Sequence, residues 1–274
     1  MGKALIFPGL NVQNPLQILD FEEEDLDVTR ITECFSGITI TQSAALKTLI
    51  RSLKLAGTFD KLSYLILPAI AGTVDEAIRN VMVDSDSIPD TTDMSLTSNL
   101  LYINTQVTVT NYIKPGTLNS KNLAMGVFVD GLEEWISGTY TSQQIAQVNT
   151  GYRLMRDNGN IGYVDGIEVT HKKTYALSQL KIGMSTDIDN LNSIFIFAED
   201  SVQTFELSSS AVVKATDTAS VILSGFPYTG GSSKYWRAFG GGIKLLWVSS
   251  LLTETELVAT HKAFDEFITS VSGT

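Results

Sequence analysis

Two pairs of adjacent acidic residues are the strongest candidates for acid–base chemistry in this sequence. Glu133 and Glu134 occur in DGLEEW, and Glu199 and Asp200 occur in FAEDS. Hydrolysis of a glycosidic bond requires two carboxyl groups that face each other across the bond. Because adjacent residues of a strand point to opposite faces of a sheet, neither pair can supply both groups. We interpret the four residues as solvated turn carboxylates.

The histidines and the single cysteine do not form a recognisable nucleophilic site. Catalysis by a Ser, Cys or Thr nucleophile requires a base beside it, and the chain has two histidines, His171 and His261. The first follows a predicted strand, the second lies in a predicted helix, and no G-x-S-x-G motif is present. Cys34 excludes an internal disulfide and is interpreted as a small packed thiol. We assign no catalytic residue and expect a protein that is not an enzyme.

One oxygen-rich segment has the residue types of a calcium site. DSDSIPDTTD supplies Asp84, Asp86, Asp90 and Asp93, and calcium prefers oxygen ligands. The segment lacks the glycine and the glutamate that an EF-hand loop has at its sixth and twelfth positions. The glycine-rich segments GGSSKY and FGGGIK match neither a dinucleotide-binding nor a phosphate-loop motif. We therefore assign no metal and no cofactor.

Four aromatic residues beside glycine-rich or polar segments are candidates for stacking on sugar rings. They are Trp135, Tyr140, Tyr228 and Trp236. Trp and Tyr combine an apolar ring with a polar group, which suits the rim of a glycan site. Packing in the core or at a sheet edge is the alternative for each of them. A glycan contact at these residues is therefore a hypothesis.

The composition limits the classes of partner. The chain has 274 residues, of which 43% are hydrophobic and 18% charged, and this suffices for one large domain or two small ones. Its net charge of -11 repels phosphate backbones, so we do not expect it to bind nucleic acid. The longest apolar stretch, LSYLILPAIAG, is shorter than the roughly 20 residues that span a bilayer, and the first residues lack the features of a signal peptide. We expect no membrane insertion and folding in a reducing cytoplasm.

Residues 1–35 predict an extended N-terminal arm. MGKALIFPGLNVQNPLQ contains two prolines and precedes the acidic run EEED at residues 22–25. Apolar side chains on an arm need a cover, which is either the body of the protein or a partner, and we favour a partner. The candidate docking residues are Leu5, Ile6, Phe7, Leu10, Leu16, Ile18, Leu19 and Phe21.

Periodicity and capping motifs predict three helices, over residues 39–56, 73–82 and 254–271, and a loop over residues 83–95. Each helix starts with a capping-box pair, namely Thr39 and Gln42, Thr73 and Glu76, and Thr253 and Glu256. The apolar faces of the two long helices are Leu46, Leu49, Ile50 and Leu53 in the first, and Leu257, Phe264, Phe267, Ile268 and Val271 in the last. Gly57 is predicted to end the first helix in a left-handed conformation.

After residue 96, short segments rich in Val, Ile, Tyr, Phe and Thr alternate with turn residues. The predicted strands are LLYINTQVTVTNYI, NLAMGVFVD, GYRLMRD, IGYVDGIEVTH, LKIGMS, SIFIFAED, SVQTFELS, AVVKATD, SVILSGF, KYWRAF and GIKLLWVSS. The last of them follows a glycine triplet and is expected to be buried on both faces. This pattern predicts a mainly β protein built as a sandwich or jelly roll.

Four segments, in order, resemble the concanavalin A-like (laminin G-like) jelly-roll domain of bacteriophage structural proteins. They are LIRSLKLAGTFDKLSYLILPAI, with Phe59 where the family often has Trp, DEAIRNVM with its Asn80, NYIKPGTLNSKNLAMGVFVDG, and AFGGGIKLLWVSSLLTETELVATHKAFDEF. The resemblance covers residues 40–272. It implies a jelly-roll domain over residues 36–274, with a helix-containing lead-in over residues 36–95 and a sandwich with a C-terminal helix over residues 96–274.

The resemblance implies a structural component of a virion, assembled in the cytoplasm of a bacterial host. A head fibre or decoration protein is expected first, attached to capsid or tail proteins through residues 1–35 and acting as a homodimer or homotrimer. A tail fibre or a host-surface carbohydrate-binding adhesin is the alternative. A polysaccharide-degrading enzyme is a third function, for which no paired carboxylates are visible. The fold itself does not decide among these functions.

Overall fold

The fold is described from a computed structural model of the chain. Backbone structure is described for residues 20–83, 91–92, 94–103, 107–108, 114, 123–131, 141–148, 152–157, 160–164, 167–169, 180–187, 193–198, 201–206, 221–223, 235–238 and 241–272. Side-chain surroundings are described for residues 26–83, 91–92, 94–103, 114, 123–131, 181–186, 202, 204 and 241–272.

In the described residues, three α-helices precede most of the strands and a fourth follows the last strand. The α-helices are α1 Asp20–Thr32, α2 Ile40–Leu55, α3 Val74–Ile78 and α4 Glu254–Ser272, and single 3-10 turns occur at Phe59–Lys61 and Pro68–Ile70. The strands are β1 Leu62–Ile66, β2 Met94–Thr97, β3 Leu100–Ile103, β4 Val107–Thr108, β5 Leu123–Asp130, β6 Thr141–Val148, β7 Tyr152–Asp157, β8 Asn160–Val164, β9 Ile167–Val169, β10 Leu180–Asp187, β11 Ser193–Ala198, β12 Ser201–Glu206, β13 Val221–Leu223, β14 Tyr235–Ala238 and β15 Gly242–Ser250.

The first sheet has the strand order β12-β11-β10-β5-β15-β3-β2, and β1 also pairs with β15. All of these pairs are antiparallel. One edge of β15 pairs with β5 along its whole length, so β1 and β3 must share the other edge. β15 is therefore an interior strand with three strand partners, and β1 brings the helix-containing lead-in into the sandwich.

The second sheet has the order β4-β13-β6-β7-β8-β9, and β14 pairs with β6 beside β13. The β14–β6 pair is parallel, whereas every other strand pair in the described residues is antiparallel. β5 of the first sheet contacts β7 of the second. The two sheets form a jelly-roll-like β-sandwich, and the predicted fold class is confirmed.

The predicted helix α4 packs on β10 and β11 of the first sheet, and α2 packs against α4. All nine apolar residues predicted for their inner faces are buried. The capping box of α2 is formed by Thr39 and Gln42, and that of α4 by Thr253 and Glu256. Gly57 follows α2 with a φ of 69°, as predicted. Periodicity and capping therefore located both long helices correctly.

The indole of Trp247 is the largest fully buried side chain of this core. Trp247 on β15 pairs with Gly126 on β5, and Gly126 pairs with Gly183 on β10. A Cβ atom at Gly126 would lie 2.4 Å from Trp247 Nε1, and one at Gly183 would lie 3.3 Å from Trp247 Cζ2. The ring therefore lies over two glycines of neighbouring strands, where only glycine leaves enough room. Phe264 of α4 stacks on the ring, with 5.9 Å between the ring centroids.

Gly242, the last glycine of the triplet and the first residue of β15, has a close-packing role. A Cβ atom at Gly242 would lie 2.4 Å from the Cβ atom of Leu100, the first residue of β3. A side chain at Gly242 would therefore push β3 away from β15. The strand that follows is buried on both faces except at Lys244 and Ser250.

The N-terminal arm is not extended over its whole predicted length, because residues 20–32 form α1. The interpretation of this part as an extended arm was wrong. Ile31 is buried against the body, Arg30 Nη1 donates to the carbonyl of Val81 at 2.7 Å, and Asp27 pairs with Lys54 of α2 at 2.5 Å. Tertiary contacts thus stabilise a helix that the sequence pattern does not reveal. Residues 1–19, with the docking candidates Leu5 to Leu19, lie outside the described residues, as does the side chain of Phe21.

The second predicted helix and the loop after it are both shorter than expected. α3 ends at Ile78 instead of continuing to residue 82. The reason is that Asn80 and Val81 bond to β1, so the chain after Ile78 must be extended. Met94 begins β2, so strand structure starts two residues before the predicted end of the loop.

Candidate functional site

The aromatic residues predicted to contact a glycan are only partly within the described structure. Trp236 lies on β14, whereas Trp135, Tyr140 and Tyr228 lie outside the described residues. In the parallel pair, Trp236 is the register partner of Ser142 on β6. Tyr140 is the residue directly before β6 in the sequence. Because parallel strands begin at the same end of a sheet, the chain enters β6 and β14 at one end of the second sheet.

The acidic residues considered for catalysis or for calcium cannot be placed. Glu133, Glu134, Glu199 and Asp200 lie outside the described residues, as do Asp84, Asp86, Asp90 and Asp93. Within the part of the chain that the structure describes, no group of three or more His, Cys, Asp or Glu residues is arranged to hold a metal ion. None of the helices described is long and apolar enough to cross a membrane.

His261 is a core residue of α4. Its ring is buried and stacks on Phe128 of β5 with 4.8 Å between the ring centroids. The pKa of His261 is lowered to about 3, mainly by burial; the charge of Asp265 opposes this shift and the charge of Lys181 adds to it. His261 is therefore neutral near pH 7 and packed against an aromatic ring. His171 lies outside the described residues.

Cys34 is half-buried, packs against the core, and donates a weak hydrogen bond to the carbonyl of Arg30 at 3.6 Å. Cys34 lies two residues after the end of α1, and its packing agrees with its interpretation as a small packed thiol.

A pocket of about 320 Å³ lies beside the last two turns of α4. Its apolar side is formed by Phe128, Val129 and Ile268, and its polar side by Lys181, Lys244, Thr269 and Ser272. Both lysines hold a carboxylate partner. Lys181 Nζ lies 2.5 Å from Asp265 Oδ1, and Lys244 Nζ lies 2.8 Å from Asp130 Oδ2.

Sheet register explains why these two lysines meet. Phe128 on β5 pairs with Lys181 on one side and with Leu245 on the other. The register of the β5–β15 pair shifts between Ile243 and Leu245, which places Lys244 at an irregularity of the strand. Two lysines that are far apart in sequence thus flank the end of the same strand. No spacing of residues in the sequence indicates this site, so it was not predicted.

A second depression of about 570 Å³ lies between α2 and α4. Its lining includes the hydroxyl residues Thr41, Thr48 and Ser52 of α2 and the acidic residues Asp265 and Glu266 of α4. Asp265 also contacts Lys181, which lines the first pocket, and Thr269 lines both. The two depressions therefore lie on either side of the same turn of α4.

Comparisons with known proteins relate this chain to β-sandwich domains. No protein-family model matches the chain, and no curated protein sequence matches it. A sialidase of Trypanosoma rangeli in complex with 2,3-difluoro-KDN is similar in structure with a TM-score of 0.51 and 9% identity, over 82% of this chain and 40% of the sialidase. The CBM40 domain of the Ruminococcus gnavus IT-sialidase, bound to α2,6-sialyllactose, has a TM-score of 0.40 and 15% identity, over 59% of this chain and 94% of the domain.

The binding domain of botulinum neurotoxin serotype D has a TM-score of 0.45 and 11% identity, over 74% of this chain and 51% of that protein. At 9% identity the similarity to the sialidase concerns the fold alone, and the two similarities with TM-scores below 0.5 support no further statement. None of these three proteins is a bacteriophage structural protein, so the assignment to that family stays a prediction.

Proposed function

We propose that this chain is a non-catalytic, glycan-binding β-sandwich domain, with its glycan site at the end of the second sheet where β6 and β14 begin. The observation that supports the site is the parallel pairing of β14 with β6. This pairing brings Trp236 beside the strand that Tyr140 directly precedes. Trp135 and Tyr228 belong to the chain segments that lead into these same two strands.

The chemistry of these residue types fits sugar binding. Aromatic rings bury the C–H face of a sugar, and the phenol and indole polar groups bond to its hydroxyls. The strand residues beside them, Ser142, Gln143 and Gln144 on β6, are of types that donate and accept hydrogen bonds. A strand pair is a rigid support, which suits a preorganised site.

A glycan array with the full-length protein tests the function, with sialyllactose as the first probe because sialidase-related domains are among the structural neighbours. We expect saturable binding to at least one class of surface glycan and no release of free sugar. Trp236→Ala should reduce the affinity by at least about tenfold. An aromatic side chain that a ligand buries typically contributes a few kcal/mol to the binding free energy. Trp236→Phe, which keeps an aromatic ring, should retain part of the affinity.

The proposal fails if the array gives no signal, or if Trp236→Ala binds as well as the unchanged protein while both unfold at the same temperature. Release of free sugar by the purified protein would contradict its non-catalytic part.

We also propose that the domain is displayed on a bacteriophage particle, as the sequence resemblance implies, and that the particle is assembled in the host cytoplasm. The structure adds one observation in favour of an assembly surface. Leu26 of α1 and Leu55 of α2 are 72% and 79% exposed, and each is adjacent in sequence to a member of the Asp27–Lys54 ion pair. Apolar side chains that are exposed together often mark a contact with another protein.

Light scattering of purified protein tests this assembly role. Removal of residues 1–19 should convert a dimer, a trimer or an aggregate into a smaller species, because these residues hold most of the candidate docking side chains. The matched comparison is removal of residues 1–35, which also removes the packed helix α1 and should lower the unfolding temperature. A monomer at full length would contradict the assembly role without affecting the glycan proposal.

A further inference from the structure

The pocket beside the end of α4 has the composition of a small ligand site, and it lies in the other sheet from the proposed glycan site. Lys181 is on β10 and Lys244 on β15, both in the first sheet, while Trp236 is on β14 of the second. The volume of about 320 Å³ is at the lower end of the range for ligand pockets and is sufficient for a single sugar ring.

The two lysines remain able to bind a ligand although each has a carboxylate partner. An ammonium group has three N–H donors, and one contact with Asp265 or Asp130 leaves two on each lysine. The ion pairs also hold the long side chains in place, so less side-chain conformational entropy is lost when a ligand binds. The lysine side chains are 36% and 19% exposed, so solvent reaches the ammonium groups but does not surround them.

The remaining walls specify the rest of the ligand. Phe128 and Ile268 are buried and give the pocket an apolar floor, which suits the C–H face of a ring. The exposed hydroxyls of Thr269 and Ser272 stand at the polar side and can accept and donate hydrogen bonds. Two ammonium groups favour an anionic group, and a planar carboxylate offers an oxygen to each of them.

We propose that this pocket binds a monosaccharide that bears a carboxylate, of the uronic-acid type. The carboxylate lies between Lys181 and Lys244, the ring lies on Phe128 and Ile268, and the sugar hydroxyls bond to Thr269 and Ser272. The site is independent of the one proposed at β6 and β14.

Calorimetric titration of the full-length protein with D-glucuronate and with D-glucose tests this inference, because the two sugars differ at the carboxylate. Glucuronate should bind and glucose should bind at least about tenfold more weakly, as expected for hydrogen bonds to charged groups. Lys181→Met and Lys244→Met should each reduce glucuronate affinity by about tenfold or more. Lys262→Met, which removes an exposed lysine of α4 outside the pocket, is the matched control and should have no effect.

Asp265→Asn is expected to increase the affinity for glucuronate, whereas the lysine substitutions decrease it. It removes a negative charge from the neighbourhood of Lys181, while the amide oxygen can still accept a hydrogen bond that holds the lysine in place, so glucuronate should bind about threefold more tightly. A purely structural role of the ion pair would not produce this gain. Thermal unfolding of each variant shows whether the fold is retained.

Four results would overturn the inference. These are no binding of glucuronate, equal binding of glucose, an equal loss in Lys262→Met, and a loss in Trp236→Ala with full binding in both pocket variants. The last result would place the ligand in the second sheet and would support the proposed glycan site instead. Trp236→Ala with unchanged glucuronate binding, together with loss in the pocket variants, separates the two sites.

Discussion

Asn80 Oδ1 accepts a hydrogen bond from the main-chain N–H of Leu65 at 2.9 Å, so a side-chain amide bonds to the main chain of β1 as a neighbouring strand would. Asn80 Nδ2 also donates to the carbonyl of Ser63 at 2.9 Å. β15 pairs with β1 on its other edge. The amide, together with the Val81 N–H that bonds to the carbonyl of Leu65, therefore satisfies the edge of β1 that faces away from β15.

Replacement of Asn80 by Ala should destabilise the protein by about 3 kcal/mol. Asn80 is buried, and its loss leaves the Leu65 and Met82 N–H groups and the Ser63 carbonyl with fewer partners. Unsatisfied buried groups cost about 1–3 kcal/mol each. The free energy of unfolding in urea measures the change. Ser270→Ala, at an exposed helix position, is the control and should stay within about 0.5 kcal/mol. A similarly small change in the free energy of unfolding for Asn80→Ala would contradict the role of its amide as a hydrogen-bond partner of β1.

Gly126→Ala should destabilise the protein more than Gly183→Ala. A new Cβ at position 126 would lie 2.4 Å from the Trp247 ring, whereas one at 183 would lie 3.0 Å from its nearest neighbour, Leu257 Cδ1. Overpacking of this kind costs about 1–3 kcal/mol or more. A double-mutant cycle with Trp247→Phe should show that Gly126→Ala costs less when the smaller ring is present. Additive effects would show that the indole is not the cause.

Stability should fall as the pH is lowered from 6.5 to 4.5, and His261 should be the reason. The unfolded chain binds the His261 proton near pH 6.5, whereas burial keeps the folded protein from binding it until about pH 3. The unfolded state therefore holds more protons in this window, and the free energy of unfolding decreases by at most about 1.4 kcal/mol per pH unit.

His261→Phe keeps a ring against Phe128 and removes the titration, so the slope in this window should become nearly flat. The comparison concerns the slopes and not the absolute stabilities, because the substitution also changes packing. An unchanged slope would show that another group titrates there.

Glu76→Gln should loosen the connection between α1 and the body. The Glu76 carboxylate accepts hydrogen bonds from Ser36 N at 2.8 Å, Ser36 Oγ at 2.5 Å and Gly72 N at 2.7 Å. Desolvation by burial raises the pKa of Glu76, but the hydrogen bonds from Ser36, Gly72 and Thr73 outweigh it and hold the pKa below 4.5. The stabilisation by this charge is therefore present above pH 4.5 and is lost as the pH falls through the lower pKa of the folded protein.

At neutral pH the substitution should cost about 1–2 kcal/mol and should increase protease cleavage near residue 36. Glu33→Gln, at an exposed position of the same segment, is the matched control and should cleave like the unchanged protein. Equal cleavage of both variants would show that Glu76 does not hold the segment around Ser36 to the body.

The sequence was sufficient for the elements whose local pattern and tertiary environment agree. α2 and α4 have capping boxes and continuous apolar stripes, so periodicity alone located them. Every predicted strand segment within the described residues contains a strand, and AVVKATD lies outside them. β6 was missed because TSQQIAQV is mostly polar, and its strand structure depends on pairing with β7, β13 and β14. α1 was missed for a related reason, since its contacts with α2 and Val81 are long-range.

The candidate sites show the same division. Aromatic residues beside turns are visible in the sequence, so Trp236 could be named before its strand was known. The pair of Lys181 and Lys244 could not be named, because it depends on two strands that flank β5 and on a shift of register at Lys244. Asn80 was noticed only as part of a resemblance, and its role required the position of β1.

The interior position of β15 determines when the first sheet can form during synthesis on the ribosome. β1 leaves the ribosome about 180 residues before β15, which is its strand partner within the described residues. Until then, the buried residues of β1 and β5 have no complete sheet to join. A nascent chain must therefore keep β1 without this strand partner while about 180 residues are synthesised, which makes chaperone binding and slow completion of this sheet expected features of its biogenesis.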